Sequence, residues 1–244
     1  MNVFEKAMAA IGVCLVVAVI MIVLVGRKRN DPAAAKLLWK KFFVYLALIG
    51  VMMCAIHFRF LFVPITLIIA TGFGEMLFVA SKAKAKPLMV IFSLLVFLFF
   101  AFGFGLLTLD HESNVLTLFS CIIVFDGFSQ LFGQLFGKTK LLPSVSPEKT
   151  IEGFLGGLLM IIPVSWWLQP DVTLLYAILF SVIFAVVALT GDLLASKYKR
   201  ICGVKDYSRI LPGHGGILDR FDGFIAVGAV WMYVSLLVFY FSAW

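Results

Sequence analysis

The stretch "PLMVIFSLLVFLFFAFGFGLL", residues 87–107, carries no charged side chain. A run of about 20 apolar residues is the length that a helix needs to cross the roughly 30 Å hydrocarbon layer of a bilayer. Similar runs recur along the chain of 244 residues, which is 63% hydrophobic and only 14% charged. This composition excludes an ordinary soluble domain and predicts an integral membrane protein.

The apolar runs predict one all-α membrane domain over residues 1–244, a polytopic bundle of about eight transmembrane helices. The predicted spans are 7–26, 42–57, 61–80, 87–107, 115–136, 153–169, 172–194 and 223–244. The first run is too long for the core of a signal peptide, and basic residues follow it, so we expect a retained helix. The four cysteines have no spacing typical of a zinc site or a disulfide framework.

The basic residues indicate an orientation. Eighteen of the 20 lysines and arginines fall in four loops, 27–41, 81–86, 137–152 and 195–222. Because short cytoplasmic loops of membrane proteins are enriched in lysine and arginine, these loops should face the cytoplasm and both termini should lie outside. We expect an integral membrane protein whose basic loops lie on the cytoplasmic side. The net charge of +7 then reflects topology and anionic lipid headgroups, and it requires no nucleic acid partner.

Three carboxylates fall within or near the predicted spans, namely Glu75, Asp126 and Asp192. Acidic residues inside a bilayer are costly, and they are candidates for function. For Glu75, a hydrogen bond to a neighbouring helix is an equally open interpretation.

The polar segment "KDYSRILPGHGGILDRFDG", residues 205–223, concentrates reactive side chains. Asp219 and Asp222 share one face if a helix begins there, and paired carboxylates suit a hard divalent cation. Basic residues surround them and suit phosphate groups: Lys199, Arg200, Lys205, Arg209 and Arg220. This combination suggests phosphoryl or nucleotidyl transfer. Acids are also common at helix starts, so the spacing alone leaves a structural role open.

A second polar segment, "GKTKLLPSVSPEKTIEGFLGG", covers residues 137–157. Lys138 and Lys149 can contact phosphates, and Ser146 and Thr150 can donate hydroxyl groups. The helix N-terminus predicted after Thr150 would also attract an anion. The chain contains neither a P-loop nor a dinucleotide-binding glycine fingerprint, so a soluble nucleotide-binding fold is not indicated.

The stretch "SKYKRICGVKDYSRILPGHGGILDRFD", residues 196–222, resembles the signature of the phosphatidate cytidylyltransferases. Residues 137–157 are similar to a second segment of that family. With Asp126 and Asp192, the resemblance covers 126–222, which we interpret as the catalytic region with two cytoplasmic motif loops. The N-terminal transmembrane helices, 1–125, match only in hydrophobicity, and 223–244 is the last transmembrane helix.

The resemblance implies an enzyme that transfers CMP from CTP to phosphatidate, giving CDP-diacylglycerol and pyrophosphate in phospholipid biosynthesis. It implies a Mg²⁺ ion and allows a monovalent cation such as K⁺ beside it. The implied metal ligands are Asp192, Asp219 and Asp222. The implied catalytic residues are Asp219, Asp222, Lys205, His214 and Arg220. The implied substrate-binding residues are Ser146, Lys149, Thr150, Ser196, Lys199, Arg200 and Asp126. A homodimer is compatible with the glycine-rich face at 153–157, which would allow close helix packing.

Four residues depart from the family pattern, namely Tyr198, Glu148, Ser129 and Gln130. They leave open a related cytidylyltransferase that acts on a different lipid phosphate. A CDP-alcohol phosphotransferase is disfavoured because no Ala-Arg pair follows Asp126-Gly127 at the required spacing. An ion-coupled transporter would show paired, interrupted helices in two related halves. We interpret the span 61–80 as an interrupted helix, at Pro64 and Gly72/Gly74, and identify no counterpart to it in a second half.

The predicted orientation can be tested at Ser208. We expect a cysteine placed there, in a variant without the native cysteines, to react with a membrane-impermeant thiol reagent only from the cytoplasmic side. The measurement compares labelling of intact cells with labelling of inverted membrane vesicles. Labelling from outside would overturn the orientation.

Overall fold

The computed structural model of the chain describes residues 1–29, 32–83, 86–208, 210–211 and 215–242, and it gives only the backbone of 25–29 and 32–35. Within these ranges there are eight α-helices, each long and apolar enough to cross a membrane. They are α1 Val3–Arg29, α2 Pro32–His57, α3 Phe62–Lys82, α4 Pro87–Leu106, α5 Glu112–Phe136, α6 Ile151–Leu168, α7 Leu174–Ile201 and α8 Leu218–Ser242. A short 3₁₀ turn, Leu107–Leu109, follows α4. The prediction of a polytopic helical membrane protein with eight spans is confirmed.

Several helix ends differ from the predicted spans because hydropathy detects the crossing of the bilayer and not the end of the helix. The helix α2 begins at Pro32, ten residues before the predicted start. The helix α7 continues to Ile201, seven residues beyond its predicted end, so Ser196 and Lys199 lie on a helix and not in a loop. The helix α8 begins at Leu218, five residues before the predicted span, so Asp219 and Asp222 both lie in its first turns.

A two-stranded β-hairpin precedes α6, and the all-α prediction did not include it. Strands β1 (Lys140–Leu142) and β2 (Ser146–Thr150) pair antiparallel, with Lys140 opposite Thr150 and Leu142 opposite Ser146. The Thr150 side chain then caps α6 by accepting a hydrogen bond from the Gly153 amide at 3.1 Å. A capping threonine satisfies an amide that the first turn of a helix cannot pair internally.

The chain divides into two compact units. The first unit comprises Met1–Met53 and Leu116–Val186, and the second comprises Cys54–Val115 and Val187–Trp244. The boundaries fall within α2, α5 and α7, so these helices contribute residues to both units.

In the second unit, α4 packs against α8 through small residues. Gly103 faces Ala229 and Tyr233, and a Cβ atom at Gly103 would lie 2.9 Å from the Ala229 Cβ. The rings of Phe104 and Phe224 meet edge to face with centroids 5.0 Å apart. At the far end of the pair, Trp231 and Asp110 are hydrogen-bonded: the indole Nε1 donates to the carboxylate at 2.7 Å. These contacts hold the start of α8 in a defined position.

In the first unit, α5 packs closely against α6. A Cβ atom at Gly157 would collide with the Ser129 Oγ and lie 2.8 Å from the Phe125 carbonyl oxygen, and one at Gly156 would collide with the Phe132 ring. The glycine-rich face at 153–157 is therefore already covered by α5. The homodimer stays a prediction, but this face no longer supports it.

The close contact between α5 and α6 predicts the effect of adding one methyl group. Gly157→Ala should lower the midpoint of thermal unfolding, since overpacking a tight contact costs roughly 1–3 kcal/mol. The matched control is Gly12→Ala in α1, because a Cβ atom there meets nothing within 4 Å. Both variants would be compared with the parent protein by thermal unfolding in detergent. Equal midpoints for Gly157→Ala and Gly12→Ala would contradict the packing described here.

Candidate functional site

The second unit brings together much of the predicted catalytic segment. The last turns of α7 present Asp192, Ser196 and Lys199 at helical spacing, and the first two turns of α8 present Asp219 and Asp222. Ser196 Oγ donates a hydrogen bond to Asp192 Oδ1 at 3.2 Å. Two helix ends and the segment that joins them therefore form the framework of the site.

Lys199 and Asp219 form a buried ion pair. The Lys199 Nζ donates to Asp219 Oδ1 at 2.6 Å, and the two side chains are 10% and 4% exposed. A buried charge is tolerated only when it is paired and hydrogen-bonded. Removing one partner would leave the other uncompensated, so the pair fixes the end of α7 to the start of α8.

The second oxygen of Asp219 organises the joining segment. Asp219 Oδ2 accepts hydrogen bonds from the backbone amides of Gly216, at 2.8 Å, and Tyr207, at 3.0 Å. Gly215 has a φ of +85°, in the left-handed region that favours glycine, and a Cβ atom there would lie 2.6 Å from the same oxygen. The glycines of the motif thus allow the backbone to close around the carboxylate.

Glu75 holds the same segment from α3. Its carboxylate accepts three hydrogen bonds: from Ser208 Oγ at 2.6 Å, from the Ile217 amide at 3.0 Å and from the Leu218 amide at 2.8 Å. The side chain is only 5% exposed. A carboxylate at the first amides of a helix satisfies orphan donors and interacts favourably with the helix dipole. Glu75 therefore acts as the N-terminal cap of α8, and the interpretation of Glu75 as a hydrogen-bonding residue is confirmed.

Two tyrosines complete the framework. The rings of Tyr198 and Tyr207 stack with centroids 6.2 Å apart. The Tyr198 hydroxyl donates to the Met76 carbonyl oxygen at 3.0 Å, and the Tyr207 hydroxyl donates to the Ala195 carbonyl oxygen at 3.1 Å. Burial, with the Asp222 and Asp219 carboxylates next in effect, raises the pKa of Tyr207 well above its ordinary value, so this hydroxyl stays protonated. Tyr198, a departure from the family pattern, has a packing role that explains its presence.

The predicted metal ligands are only partly arranged for a cation. A Cβ atom at Gly191 would collide with Ala226 and lie 2.9 Å from the Asp222 carbonyl oxygen, so α7 and α8 approach closely beside Asp192 and Asp222. Asp219, however, has both oxygens engaged by Lys199 and two amides. Across the described residues, no three acidic, histidine or cysteine side chains form a metal-binding group. The carboxylate chemistry suits Mg²⁺, but this arrangement does not form its coordination set.

The cations of the segment differ in their surroundings. Lys205 and Arg200 are exposed, and the Arg200 guanidinium donates to the Val204 carbonyl oxygen at 3.1 Å. Among the described residues, the Arg220 Nε is buried without a hydrogen-bond partner. A buried, unsatisfied donor is unusual and suits a ligand oxygen. Two residues of the segment, the predicted catalytic His214 and the basic Arg209, lie outside the described residues.

The remaining predicted site residues belong to the first unit. Asp126 lies on α5 and is half-buried, and Ser146 and Lys149 lie half-buried on β2. Thr150 is buried and caps α6, so its hydroxyl has a structural partner. Glu152 turns back to accept hydrogen bonds from the amides of residues 138 and 139, at 3.1 Å each, which ties the start of the hairpin to α6.

Sequence reasoning gave no role in the site to Tyr207 or Ser208, and it did not identify Gly216 as a partner of a carboxylate. The backbone amides of Tyr207 and Gly216 donate hydrogen bonds to the Asp219 carboxylate, and the Ser208 hydroxyl donates one to the Glu75 carboxylate. Nothing in residue type marks such a role. The one available signal was Glu75, since a carboxylate within an apolar run requires partners.

A sequence model of the cytidylyltransferase family matches residues 2–239, almost the whole chain. The chain therefore belongs to the cytidylyltransferase family. This assignment disfavours the CDP-alcohol phosphotransferase and transporter alternatives.

Several curated relatives carry the name phosphatidate cytidylyltransferase. The protein of Staphylococcus haemolyticus is 43% identical over 122 residues, which are 48% of this chain and 47% of the relative. Those of Staphylococcus epidermidis and Staphylococcus aureus are 49% and 47% identical over 116 and 117 residues, about 45% of each chain. The matched region thus spans about half the length of these relatives.

The capping role of Glu75 predicts the effect of Glu75→Gln. The amide group has one acceptor oxygen where the carboxylate has two, so at least one buried donor should lose its partner, at about 1–3 kcal/mol. We expect faster hydrogen exchange at the Ile217 and Leu218 amides, measured by mass spectrometry, and a lower thermal midpoint. Thr71→Val is the matched control on α3, because Thr71 bonds only to carbonyl groups of its own helix. Unchanged exchange in Glu75→Gln would refute the capping role.

Proposed function

We propose that the protein is a phosphatidate cytidylyltransferase that transfers CMP from CTP to phosphatidate, giving CDP-diacylglycerol and pyrophosphate. The observation that carries this proposal is the match of the cytidylyltransferase family to residues 2–239. The relatives named phosphatidate cytidylyltransferase, together with the eight membrane-length apolar helices found among the described residues, favour a lipid phosphate as the acceptor.

The reaction needs positioning and charge neutralisation more than covalent chemistry by the protein. An oxygen of the lipid phosphate forms a bond to the α-phosphorus of CTP. The bond from that phosphorus to the oxygen bridging to the β-phosphorus breaks, and its electron pair leaves with pyrophosphate. Several anionic groups must approach one another, so cations placed at the phosphates lower the barrier.

Basic residues of the second unit are the phosphate contacts that this unit itself supports. In the second unit these are Lys199, Arg200, Lys205 and Arg220, with the unsatisfied Arg220 Nε as the strongest support. In the first unit, Lys149 and Ser146 are proposed to bind substrate. The sequence-based assignment also gives Asp126 and Thr150 this role. Ser196 is proposed to act through Asp192, to which it is hydrogen-bonded. His214 keeps its sequence-based assignment as a catalytic residue.

A divalent cation is the expected cofactor of a nucleotidyl transfer, because it neutralises phosphate charge. We propose Mg²⁺ at Asp192 and Asp222, and the family resemblance further implies Asp219 as a ligand and allows a monovalent ion such as K⁺. Asp219 could join only after releasing Lys199, which now neutralises it at 2.6 Å. For this reason no step of the reaction is assigned to the metal.

The proposed site faces the cytoplasm, since CTP is a cytosolic metabolite and the basic loops are expected there. The proposed location is the bacterial inner membrane. A homodimer remains a proposal, and detergent-corrected mass measurements would test it.

The function predicts different outcomes for two aspartates. Asp222→Asn should abolish CDP-diacylglycerol formation with little change in thermal midpoint, because the amide oxygen can still accept the bond from its own Gly223 amide. Asp219→Asn should abolish activity and also lower the midpoint, since breaking a buried ion pair costs about 3–5 kcal/mol. The assay follows labelled CTP with phosphatidate and Mg²⁺ in detergent.

Asp171→Asn serves as the control, because Asp171 is exposed and lies outside the proposed site. Near-normal turnover in Asp222→Asn would remove that residue from the site. No CDP-lipid from the parent protein with phosphatidate, while a relative is active, would refute the proposed substrate. Product with another lipid phosphate would then identify the alternative acceptor.

A further inference from the structure

The second unit contains a cavity of about 540 Å³ that Asp222 of the candidate site lines. Its walls come from α3, α4, the end of α7 and the start of α8. The buried lining residues form the deep wall and include Met76, Phe97 and Leu218. The exposed lining residues form the edge, with Phe92 on α4 and Leu194 on α7. The cavity is thus a groove with a closed floor and an open side.

The dimensions of the groove suit an extended chain. The lining residues of α4 run from Leu88 to Phe100, which is about 18 Å of helix at 1.5 Å per residue. Those of α7 run from Gly191 to Ile201, about 15 Å. The volume lies within the roughly 300–1,000 Å³ that small-molecule sites occupy. A space lined along this length mostly by apolar side chains fits an acyl chain better than a nucleotide.

The chemistry of the walls favours the same ligand. Among the described lining residues only Lys197 and Asp222 are charged. The hydroxyls of the two lining tyrosines, Tyr198 and Tyr207, already donate to backbone carbonyl groups. A sugar or a base would find few partners for its polar groups, and burying these groups without hydrogen bonds is costly.

The two charged residues connect the groove to the reaction. Asp222 is a proposed ligand for the cation, and a carboxylate in an otherwise apolar groove is a functional feature by default. Lys197 is exposed at the edge of the groove, where a cation can pair with phosphate. An ordinary lipid-facing helix surface has neither a closed floor nor these two charges.

We propose that this groove binds one acyl chain of the lipid phosphate and so holds its phosphate beside the first turns of α8. This inference rests on the proposed function, because that function makes a lipid phosphate the acceptor. It assigns the recognition of the chain to the α4 and α7 walls. The length of the acyl chain should therefore affect turnover through these walls.

Two variants fill the groove from opposite sides, namely Val96→Phe on α4 and Ala195→Phe on α7. For each variant we compare kcat/KM for dioleoyl phosphatidate with kcat/KM for dihexanoyl phosphatidate. We expect the ratio of the first to the second to fall by about tenfold, because losing even a few methylene contacts in an apolar pocket has an effect of that size. Leu98→Phe is the control, since Leu98 is an exposed residue of α4 outside the groove. Its ratio should equal that of the parent protein.

The outcomes separate this inference from the proposed function. If the parent protein forms product and both variants keep its ratio, the groove does not bind the acyl chain of the substrate. The inference would then be wrong, and the groove would hold only lipid of the surrounding bilayer. If the parent protein forms no CDP-lipid, the groove is tested by phosphatidate with a photoreactive diazirine in the acyl chain. Cross-links to α4 and α7 peptides that are lost in Ala195→Phe, but not in Leu98→Phe, support the groove. Equal cross-linking in all three proteins would overturn it.

Discussion

The buried carboxylate of Glu75 is the contact on which the candidate site depends. It lies on α3, more than 130 residues before its partners. It accepts hydrogen bonds from two backbone amides at the start of α8 and from the Ser208 hydroxyl. Burying three donors and a negative charge is favourable only because each of them is matched. The position of Glu75 thus fixes where α8 begins, and the start of α8 fixes Asp219 and Asp222.

The Lys199 and Asp219 pair adds a second constraint. The lysine supplies a positive charge to a carboxylate that would otherwise be buried alone at the end of two helices. Because Asp219 also holds the amides of Tyr207 and Gly216, one side chain links α7, the joining segment and α8. Four described residues of this segment are thus held by the carboxylates of Asp219 and Glu75, namely Tyr207, Ser208, Gly216 and Ile217.

Much of the fold could be predicted from the sequence, since a helix that crosses a bilayer must be apolar over a fixed length. The ends of α2 and α7 could not, because Lys40 or Lys199 can continue a helix past the apolar run. The hairpin was missed because its strands have three and five residues and no alternation of apolar side chains. In the site, residue types identified the acids and cations. The contact between Glu75 and Leu218 could not be predicted, because sequence pattern does not reveal contacts across such separations.

The satisfied helix starts have a consequence for the recognition of anions. The N-terminus of a helix usually offers unpaired amides to a phosphate. At α8, the amides of residues 216, 217 and 218 already bond to carboxylates, and at α6 the Gly153 amide bonds to Thr150. At α8, carboxylates of the chain itself thus occupy the places that a nucleotide phosphate would take in a P-loop, and at α6 a threonine hydroxyl occupies one of them. Under the proposed function, the second unit would therefore have to bind the triphosphate through the charges of its side chains and of dissolved ions, and this binding should weaken with rising ionic strength.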